Sequence, residues 1–328
     1  MPYLEVNAKI LWRNITRPLS RGDLFGLFLT MGVALMFAYQ QSVGLYTYKF
    51  DFGNYLNSAH GDFSHYYYAY WLLPVFYMLD KLPFPLAYFI WNGLNILGVF
   101  FASRVFGGKA LWVLTSYQMF YTIFQGNITG ILVGMLALLW YSLISEWWIF
   151  GGLAFLVACT KYQLGIPFGL LLITLAPSIW RKKIRIFIIP ILVAITSILI
   201  WGFWPLKVLE TVQNYPPNAS GNSSLWNLLG VLALILWIPP LILKLPLSNR
   251  LSMLFSAIFL GLPYLQQSDL IALFVFIPTA FALFGNLGYV LAVIRFDLLQ
   301  YMFIVPLGLY IWSLLVAYFS RSHSFQAK

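Results

Sequence analysis

Cysteine, histidine and acidic residues are scarce in this sequence, and their scarcity limits the chemistry it can support. The 328 residues include one cysteine, three histidines and nine acidic residues. Cys159 has no second cysteine to pair with, which excludes an intrachain disulfide and a cysteine-based metal cluster. The sequence also lacks a P-loop, a Gly-x-Gly-x-x-Gly phosphate cradle and a Gly-x-Ser-x-Gly nucleophile motif. Carboxylates and isolated lysines remain as candidate reactive groups, and we expect neither a metal nor a cofactor.

Charged residues make up 9% of the chain, whereas apolar residues make up 61%. A soluble domain carries about 25% charged residues, so this chain has too little charge to cover a surface facing water. A disordered chain would need low hydrophobicity and high charge. The mean hydropathy of +0.83 predicts an all-α, multi-pass membrane protein. Nucleic-acid binding is the other interpretation of the net charge of +10, but no basic stripe or binding motif accompanies it.

Apolar runs separated by polar residues predict about eleven transmembrane helices, within a range of 10–12. Their approximate bounds are 24–45, 84–103, 109–124, 128–145, 147–163, 164–180, 186–204, 226–243, 251–265, 269–285 and 298–319. Several runs are short for a bilayer core of about 30 Å, so broken or tilted helices are expected between residues 109 and 180. No internal repeat or linker divides the chain, and we predict one transmembrane domain over 24–328.

The basic residues predict the orientation in the membrane. With the N-terminus inside and the spans alternating, twelve basic residues fall inside: Lys9, Arg13, Arg17, Arg21, Arg104, Lys109, Arg181, Lys182, Lys183, Arg185, Lys244 and Arg250. Four fall outside: Lys49, Lys81, Lys161 and Lys207. Cytoplasmic loops carry an excess of Lys and Arg, so this bias favours a cytoplasmic N-terminus. The long polar loops 46–66 and 206–225 then lie outside, where we expect the functional site.

The N-terminal segment 1–23 is predicted to be a cytoplasmic amphipathic helix with Leu4, Ile10, Leu11 and Ile15 on its apolar side. The apolar run after it is about 22 residues long, which favours a first spanning helix over a cleaved signal peptide.

In the first outer loop, the stretch 66–77 is too short to span and is dense in Tyr and Trp. It predicts a helix lying along the outer surface, or simply an aromatic belt.

Asp51 is the strongest candidate for a reactive group. It directly follows the first span, between Phe50 and Phe52. A carboxylate partly desolvated at the membrane boundary gains proton affinity, and a general base benefits from that tuning. The alternative interpretation is a solvated aspartate that forms the turn before Gly53.

Lys161 is the second candidate, because a lysine between two apolar stretches is costly and marks a functional site by default. It suits a lipid-linked phosphate, or else it extends its ammonium to the interface.

Gln125 and Asn127 flank an outer turn and are candidate ligands or turn-formers. Asp269 is a candidate ligand or a helix N-cap. Asn127-Ile128-Thr129 and Asn222-Ser223-Ser224 also match the glycosylation sequon, a pattern that is common by chance.

An ordered series of these motifs resembles the GT-C superfamily of polyprenol-phosphate-sugar-dependent glycosyltransferases, nearest to the mycobacterial phosphatidylinositol-mannoside mannosyltransferases. Over residues 24–285, the similar segments are Asp51-Phe52-Gly53-Asn54-Tyr55, the aromatic stretch 66–74, Gln125-Gly126-Asn127, Lys161 with Pro167 and the basic run 181–183, Asn222-Ser223-Ser224-Leu225, and Pro263-Tyr264 with Asp269. Family members often carry a histidine near the last outer loop. This chain has none there, and Asp269, Gln266 or Gln267 would take its place.

The resemblance implies an inverting glycosyltransferase in a bacterial inner membrane, with its active site on the outer face. It would move a hexose such as mannose from a polyprenyl-phosphate donor to a lipid or glycan acceptor, without a cofactor. Asp51 would be the catalytic base. Lys161, Lys49 and Lys207 would meet the donor phosphate. The implied substrate-binding residues are Tyr55, His65, Tyr66, Gln125, Asn127, Asn222 and Asp269.

Other functions remain open at this stage. A transporter or flippase of lipid-linked glycans would place ionisable residues near the middle of several spans, often in paired repeats. Here nearly all acids lie in predicted loops. A lipid-linked glycan polymerase or ligase would carry several arginines in large outer loops, and no arginine is assigned outside. A non-catalytic membrane subunit is a further alternative.

Overall fold

The computed structural model describes residues 8–43, 51–214, 222–243, 245, 247–276 and 281–326. All regular structure in these residues is helical, which confirms the all-α prediction. The α-helices are α1 Ala8–Thr16, α2 Arg21–Ser42, α3 Asp51–Ala59, α4 Leu73–Leu79, α5 Phe84–Val105, α6 Ala110–Leu114, α7 Tyr117–Gln125, α8 Thr129–Ser145, α9 Trp148–Ala158, α10 Tyr162–Leu175, α11 Trp180–Lys183, α12 Ile188–Trp201, α13 Trp204–Asn214, α14 Trp226–Leu229, α15 Ile238–Ile242, α16 Leu247–Gly261, α17 Leu270–Phe276, α18 Ala282–Gly285, α19 Leu287–Ile294 and α20 Ile304–Gln326. Five 3₁₀ segments connect or extend them: Tyr70–Leu72, Ile184–Phe187, Gly230–Trp237, Gln267–Asp269 and Phe296–Phe303.

Four of the described helices are long and apolar enough to cross a membrane. They are Arg21–Ser42, Phe84–Val105, Trp180–Trp201 and Phe296–Val316. A fifth span arises if α7 and α8, which meet at an angle of 114°, are counted together. The chain is therefore a helical membrane protein. The other predicted runs form shorter apolar helices, so the count of 10–12 spans stays a prediction.

The helix Trp180–Trp201 shows most clearly why the chain requires a bilayer. Only 11% of the most apolar 18-residue stretch of this helix is buried inside the protein. Ile191, Leu192, Ile195 and Leu199 are all more than half exposed. An exposed apolar strip of this length is not tolerated in water, and lipid chains would cover it.

Helices α5 and α8 form the central packing contact of the bundle. They cross where Gly98 faces Gly130 and Gly134, so their backbones touch without intervening side chains. A Cβ atom added to Gly134 would lie 2.6 Å from the Cα atom of Gly98. Such small residues allow close helix approach in membrane proteins. The Asn95 side chain of α5 also accepts a hydrogen bond from the Ile131 amide (3.0 Å) and so fixes the first turn of α8.

The predicted N-terminal helix is present as α1, but it packs against the bundle. Leu11 is buried against it, and α1 contacts α5 and α8; Leu4 lies outside the described residues. Arg104 of α5 donates hydrogen bonds to the carbonyls of Ile15 and Arg17, and its guanidinium lies 3.8 Å from the Asp23 carboxylate. These contacts attach the N-terminal segment to the end of α5.

The polar segment 46–66, which the sequence predicted to be a loop, is partly helical in the described residues. Helix α3 occupies part of the predicted polar loop, because Phe52, Tyr55 and Leu56 bury one of its faces. The predicted helix over 66–77 begins later: a 3₁₀ turn at Tyr70–Leu72 leads into α4, with Pro74 in its first turn. Similarly, α13 lies in the second predicted polar loop.

Candidate functional site

A sharp bend between α7 and α8 forms the base of the site. Gly126 ends α7 with φ +63°, a left-handed conformation that favours glycine. A Cβ atom at this position would also lie 2.5 Å from the Cβ atom of Phe52. Tyr88 donates a hydrogen bond to the Phe124 carbonyl (3.0 Å), and Trp91 donates one to the Gly126 carbonyl (2.8 Å). The bend is therefore satisfied internally, and it lets the start of α3 approach the start of α8.

Asn127 connects three parts of the chain that are distant in sequence. Its Oδ1 accepts hydrogen bonds from the amide (3.0 Å) and hydroxyl (2.7 Å) of Thr129, which closes a turn just before α8. Its Nδ2 donates to Oδ2 of Asp51 at 2.5 Å and to Oε1 of Gln266 at 2.8 Å. The residue thus forms the turn, as one of its two interpretations predicted, and it also binds the Asp51 carboxylate; its substrate-binding role stays a prediction.

Beside it lies a buried ion pair between Lys161 and Asp269. The Lys161 Nζ is 2.5 Å from Oδ1 of Asp269, and their side chains are 2% and 0% exposed. Oδ1 also lies 2.9 Å from the Thr129 hydroxyl, whose single proton is shared between Asp269 and Asn127, and Oδ2 accepts from the Gln266 amide (2.9 Å). Lys161 therefore does not extend to an interface. Gln266 is the N-cap of this turn, and Asp269 is its third residue and accepts from the Gln266 amide, so the predicted N-cap role of Asp269 is wrong; the carboxylate also balances the lysine.

Asp51 is the less buried of the two acidic residues in this cluster. It is half-buried, whereas Asn127, Lys161 and Asp269 are all buried to 1% exposure or less. Burial raises the pKa of the Asp51 carboxyl above its ordinary value of 3.8, and the charge of Asp269 adds to that rise. The charge of Lys161 and the Asn127 hydrogen bond oppose it. The environment thus increases the proton affinity of Asp51 while keeping polar partners for its ionised form.

The loop that carries Gln266 is held by Asn222. The Asn222 Nδ2 donates to the Pro263 carbonyl (2.7 Å), and its Oδ1 accepts from the Leu265 amide (3.1 Å). Asn222 is itself buried. These contacts give it a positioning role for the loop, and the substrate-binding role that the resemblance implies stays a prediction.

The remaining predicted residues lie around the cluster or away from it. Tyr55 and Tyr66 are buried in an aromatic cluster beneath α3; Tyr55 stacks on Phe76 at 4.8 Å, and the Tyr66 hydroxyl donates to the Ala69 carbonyl. Gln125 is half-buried and adjoins the bend. His65 is exposed and contacts the Tyr67 hydroxyl, and Lys207 is exposed with its Nζ 3.1 Å from the Trp201 carbonyl. Lys49 lies outside the described residues.

Thr129 and Tyr264 belong to the site although the sequence did not predict them as site residues. Gln266 was predicted only as one possible replacement for the histidine of the last outer loop. Thr129 belongs to Asn127-Ile128-Thr129, which was interpreted as a glycosylation sequon. The same spacing lets the asparagine close the turn before α8 and brings the threonine hydroxyl to Asp269. Tyr264 lies near the Gln266 amide, with its hydroxyl 3.4 Å from Nε2. No local pattern marks either residue, because the contacts form between remote segments.

Comparison with protein-family models, curated proteins and solved structures finds no match for this chain. The resemblance to the GT-C superfamily therefore rests on the ordered motifs of the sequence alone.

Removing the lysine of the buried pair should destabilise the protein strongly. Lys161→Met leaves the Asp269 carboxylate buried without its counter-charge, which costs about 3–5 kcal/mol. The matched control is Lys182→Met, which removes the exposed pair with Glu146 at 2.6 Å and should cost about 1 kcal/mol or less. Thermal unfolding in detergent, followed by tryptophan fluorescence, measures both. Equal shifts in Tm for the two variants would contradict a buried, energetically important pair.

Proposed function

We propose that this protein is an inverting glycosyltransferase of the GT-C kind, which transfers a hexose such as mannose from a polyprenyl-phosphate donor to a lipid or glycan acceptor. The observation that carries the proposal is a half-buried carboxylate of raised proton affinity, Asp51, bound to Asn127 beside the buried Lys161–Asp269 pair. The sequence motifs supply the reaction class, and this geometry is what a positioned base requires.

In the proposed reaction, Asp51 accepts the proton of an acceptor hydroxyl. The hydroxyl oxygen attacks C1 of the donor sugar from the face opposite the phosphate. The C1–O bond to the phosphate breaks, and its electron pair leaves with the polyprenyl phosphate. The new glycosidic bond therefore has the inverted configuration. A positioned base of this kind contributes about 10²–10⁴-fold to the rate.

In the proposed reaction, Lys161 acts on Asp51 and does not bind the donor phosphate as the resemblance implies. Its ammonium is already balanced by Asp269, so a direct contact with the donor phosphate would have to compete with a 2.5 Å ion pair. The positive charge instead lowers the pKa of Asp51, against the effect of burial. Lys161 thus helps to keep the base ionised, and the proposed contacts of Lys207 and Lys49 with the phosphate stand on the resemblance alone.

Two tyrosines contribute hydroxyls near the proposed base. Burial, followed by the charge of Asp51, raises the pKa of both Tyr67 and Tyr264. Their hydroxyls therefore stay protonated and serve as hydrogen-bond donors near the carboxylate. We propose that they bind sugar or phosphate oxygens of the substrates.

The proposal places the site on the outer face of the membrane, because the basic excess assigns the alternate loops to the inside. In a Cys159→Ala background, His60→Cys should react with an impermeant maleimide on intact cells, since the His60 side chain is 67% exposed. Lys182→Cys, at a side chain 47% exposed, should react only after permeabilisation. The opposite pattern would contradict the proposed sidedness.

Asp51→Asn should abolish transfer without unfolding the protein. The amide keeps the size of the side chain and an oxygen that can accept from Asn127, but it cannot take the proton. Product formation with a saturating polyprenyl-phosphate mannose donor should fall by about 10²-fold or more. Asp62→Asn, at an exposed loop carboxylate, is the control and should stay within a few-fold of the parent. An Asp51→Asn protein with equal Tm and near-parental transfer would refute the assignment of the base.

The dependence of kcat on pH should report the environment of Asp51. Transfer requires the ionised carboxylate, so kcat should fall as the pH drops through a pKa above 3.8. Asn127→Ala removes a hydrogen bond that stabilises the ionised form, and it should move this acidic limb to higher pH. Asp62→Asn should leave the limb in place. An Asn127→Ala enzyme with lower kcat and an unmoved limb would indicate a purely structural role for the amide.

A further inference from the structure

A second polar region lies at the far end of α8. Thr129 is in the first turn of this helix, and Ser142 is thirteen residues further along, a distance of about 20 Å at the rise of an α-helix. Around Ser142 the end of α8, the start of α9 and the segment 178–186 line a cavity of about 90 Å³ that is open to solvent. This volume is below the range of pockets that enclose a whole drug-sized ligand, about 300–1,000 Å³, so the cavity has room for a small group only.

The lining of this cavity carries an excess of positive charge. Its polar residues are Ser142, Glu146, Ser178, Lys182, Lys183 and Arg185. Lys182 contacts both oxygens of the Glu146 carboxylate, at 2.7 and 2.6 Å. Lys183 is buried and donates to the Thr174 carbonyl at 3.0 Å. Three cations against one carboxylate leave two formal positive charges, and an anion would balance them.

The hydroxyl of Ser142 supplies an independent sign of a ligand. Ser142 is 1% exposed, and its Oγ has no hydrogen-bond partner among the residues that the structure describes. A serine inside a helix commonly donates to the carbonyl four residues earlier, and a buried polar group rarely stays unpaired. Ser142 lines the cavity, and an oxygen atom bound there would give its hydroxyl a partner.

The surroundings of the cavity favour a ligand that belongs to the membrane. The cations lie at the beginning of the apolar helix Trp180–Trp201. Trp147 and Trp180 flank the region and are 50% and 57% exposed, and Phe150 nearby is 54% exposed. Exposed tryptophans are typical of the headgroup level of a bilayer, and basic pockets between helices on the cytoplasmic side bind lipid phosphates.

We propose that this cavity binds the phosphate of an anionic phospholipid headgroup, through Lys183, Arg185 and the hydroxyl of Ser142. The lipid tails would lie along the exposed apolar face that continues from Trp180. This site is separate from the Asp51 cluster and does not depend on the proposed transfer reaction.

The test is lipid binding by the purified protein in a neutral detergent, measured by native mass spectrometry. Dioleoylphosphatidylglycerol should bind at least ten-fold more tightly than dioleoylphosphatidylcholine. Arg185→Gln and Lys183→Gln should each weaken phosphatidylglycerol binding by about 10–100-fold, the usual loss for a charged hydrogen bond. Arg181→Gln is the matched control, because Arg181 belongs to the same basic run but does not line the cavity. Equal losses at Arg181 and Arg185 would overturn the proposal in favour of general attraction to a basic surface.

A substitution that should strengthen lipid binding distinguishes an effect on binding from an effect on folding. Glu146→Gln releases Lys182 from its carboxylate partner and should strengthen phosphatidylglycerol binding. A weaker interaction in this variant, at unchanged Tm, would contradict a phosphate site. Competition by sodium phosphate distinguishes the two sources of the anion. Displacement of the lipid only at high millimolar phosphate supports the headgroup, whereas displacement at concentrations equal to that of the lipid would assign the cavity to free phosphate and overturn the lipid assignment.

Discussion

The ion pair between Lys161 and Asp269 is the interaction on which the polar centre of this protein depends. Neither charge is accessible to water, so each requires the other, and their remaining hydrogen-bonding capacity is used by Thr129 and the Gln266 amide. The pair joins the start of α10 to the loop before α17. Asn127 extends the network to Asp51, so that four segments distant in sequence converge on a few polar atoms. In a chain with 9% charged residues, such internal pairing is the principal way to hold a charge away from water.

Part of this site could be predicted from the sequence. Asp51, Asn127, Lys161 and Asp269 stand at the ends of apolar runs, where polar groups are costly unless they have partners. The structure brings these four residues together. Their pairing could not be predicted, because it depends on the left-handed conformation of Gly126 and on the position of α3 against the bend. Lys161 illustrates the limit: a lysine in an apolar stretch requires an anion, but the sequence does not distinguish a lipid phosphate from Asp269.

The helices, too, differ in how far the sequence predicts them: some are determined by local hydrophobicity and others by tertiary contacts. The long runs that became α2 and α5 were predicted with bounds close to those observed, because hydrophobicity alone determines them. The run 109–124 divides into α6 and α7, since Ser116 caps a new helix with its side chain. Helix α3 was missed because its stability comes from the aromatic cluster below it, which forms only when Trp91 of α5 and Phe76 of α4 are in place. The GT-C resemblance and the full number of spans stay predictions.

The carbonyl groups at the bend between α7 and α8 are bonded by Tyr88 and Trp91, two side chains of a neighbouring helix. A helix that ends inside a membrane protein otherwise relies on water to satisfy these groups. At this bend, protein side chains instead donate hydrogen bonds to the Phe124 and Gly126 carbonyls. The bend therefore needs no water at these carbonyls beneath Asp51, and in the proposed transfer an acceptor alcohol would meet little competition from water as the nucleophile that attacks C1.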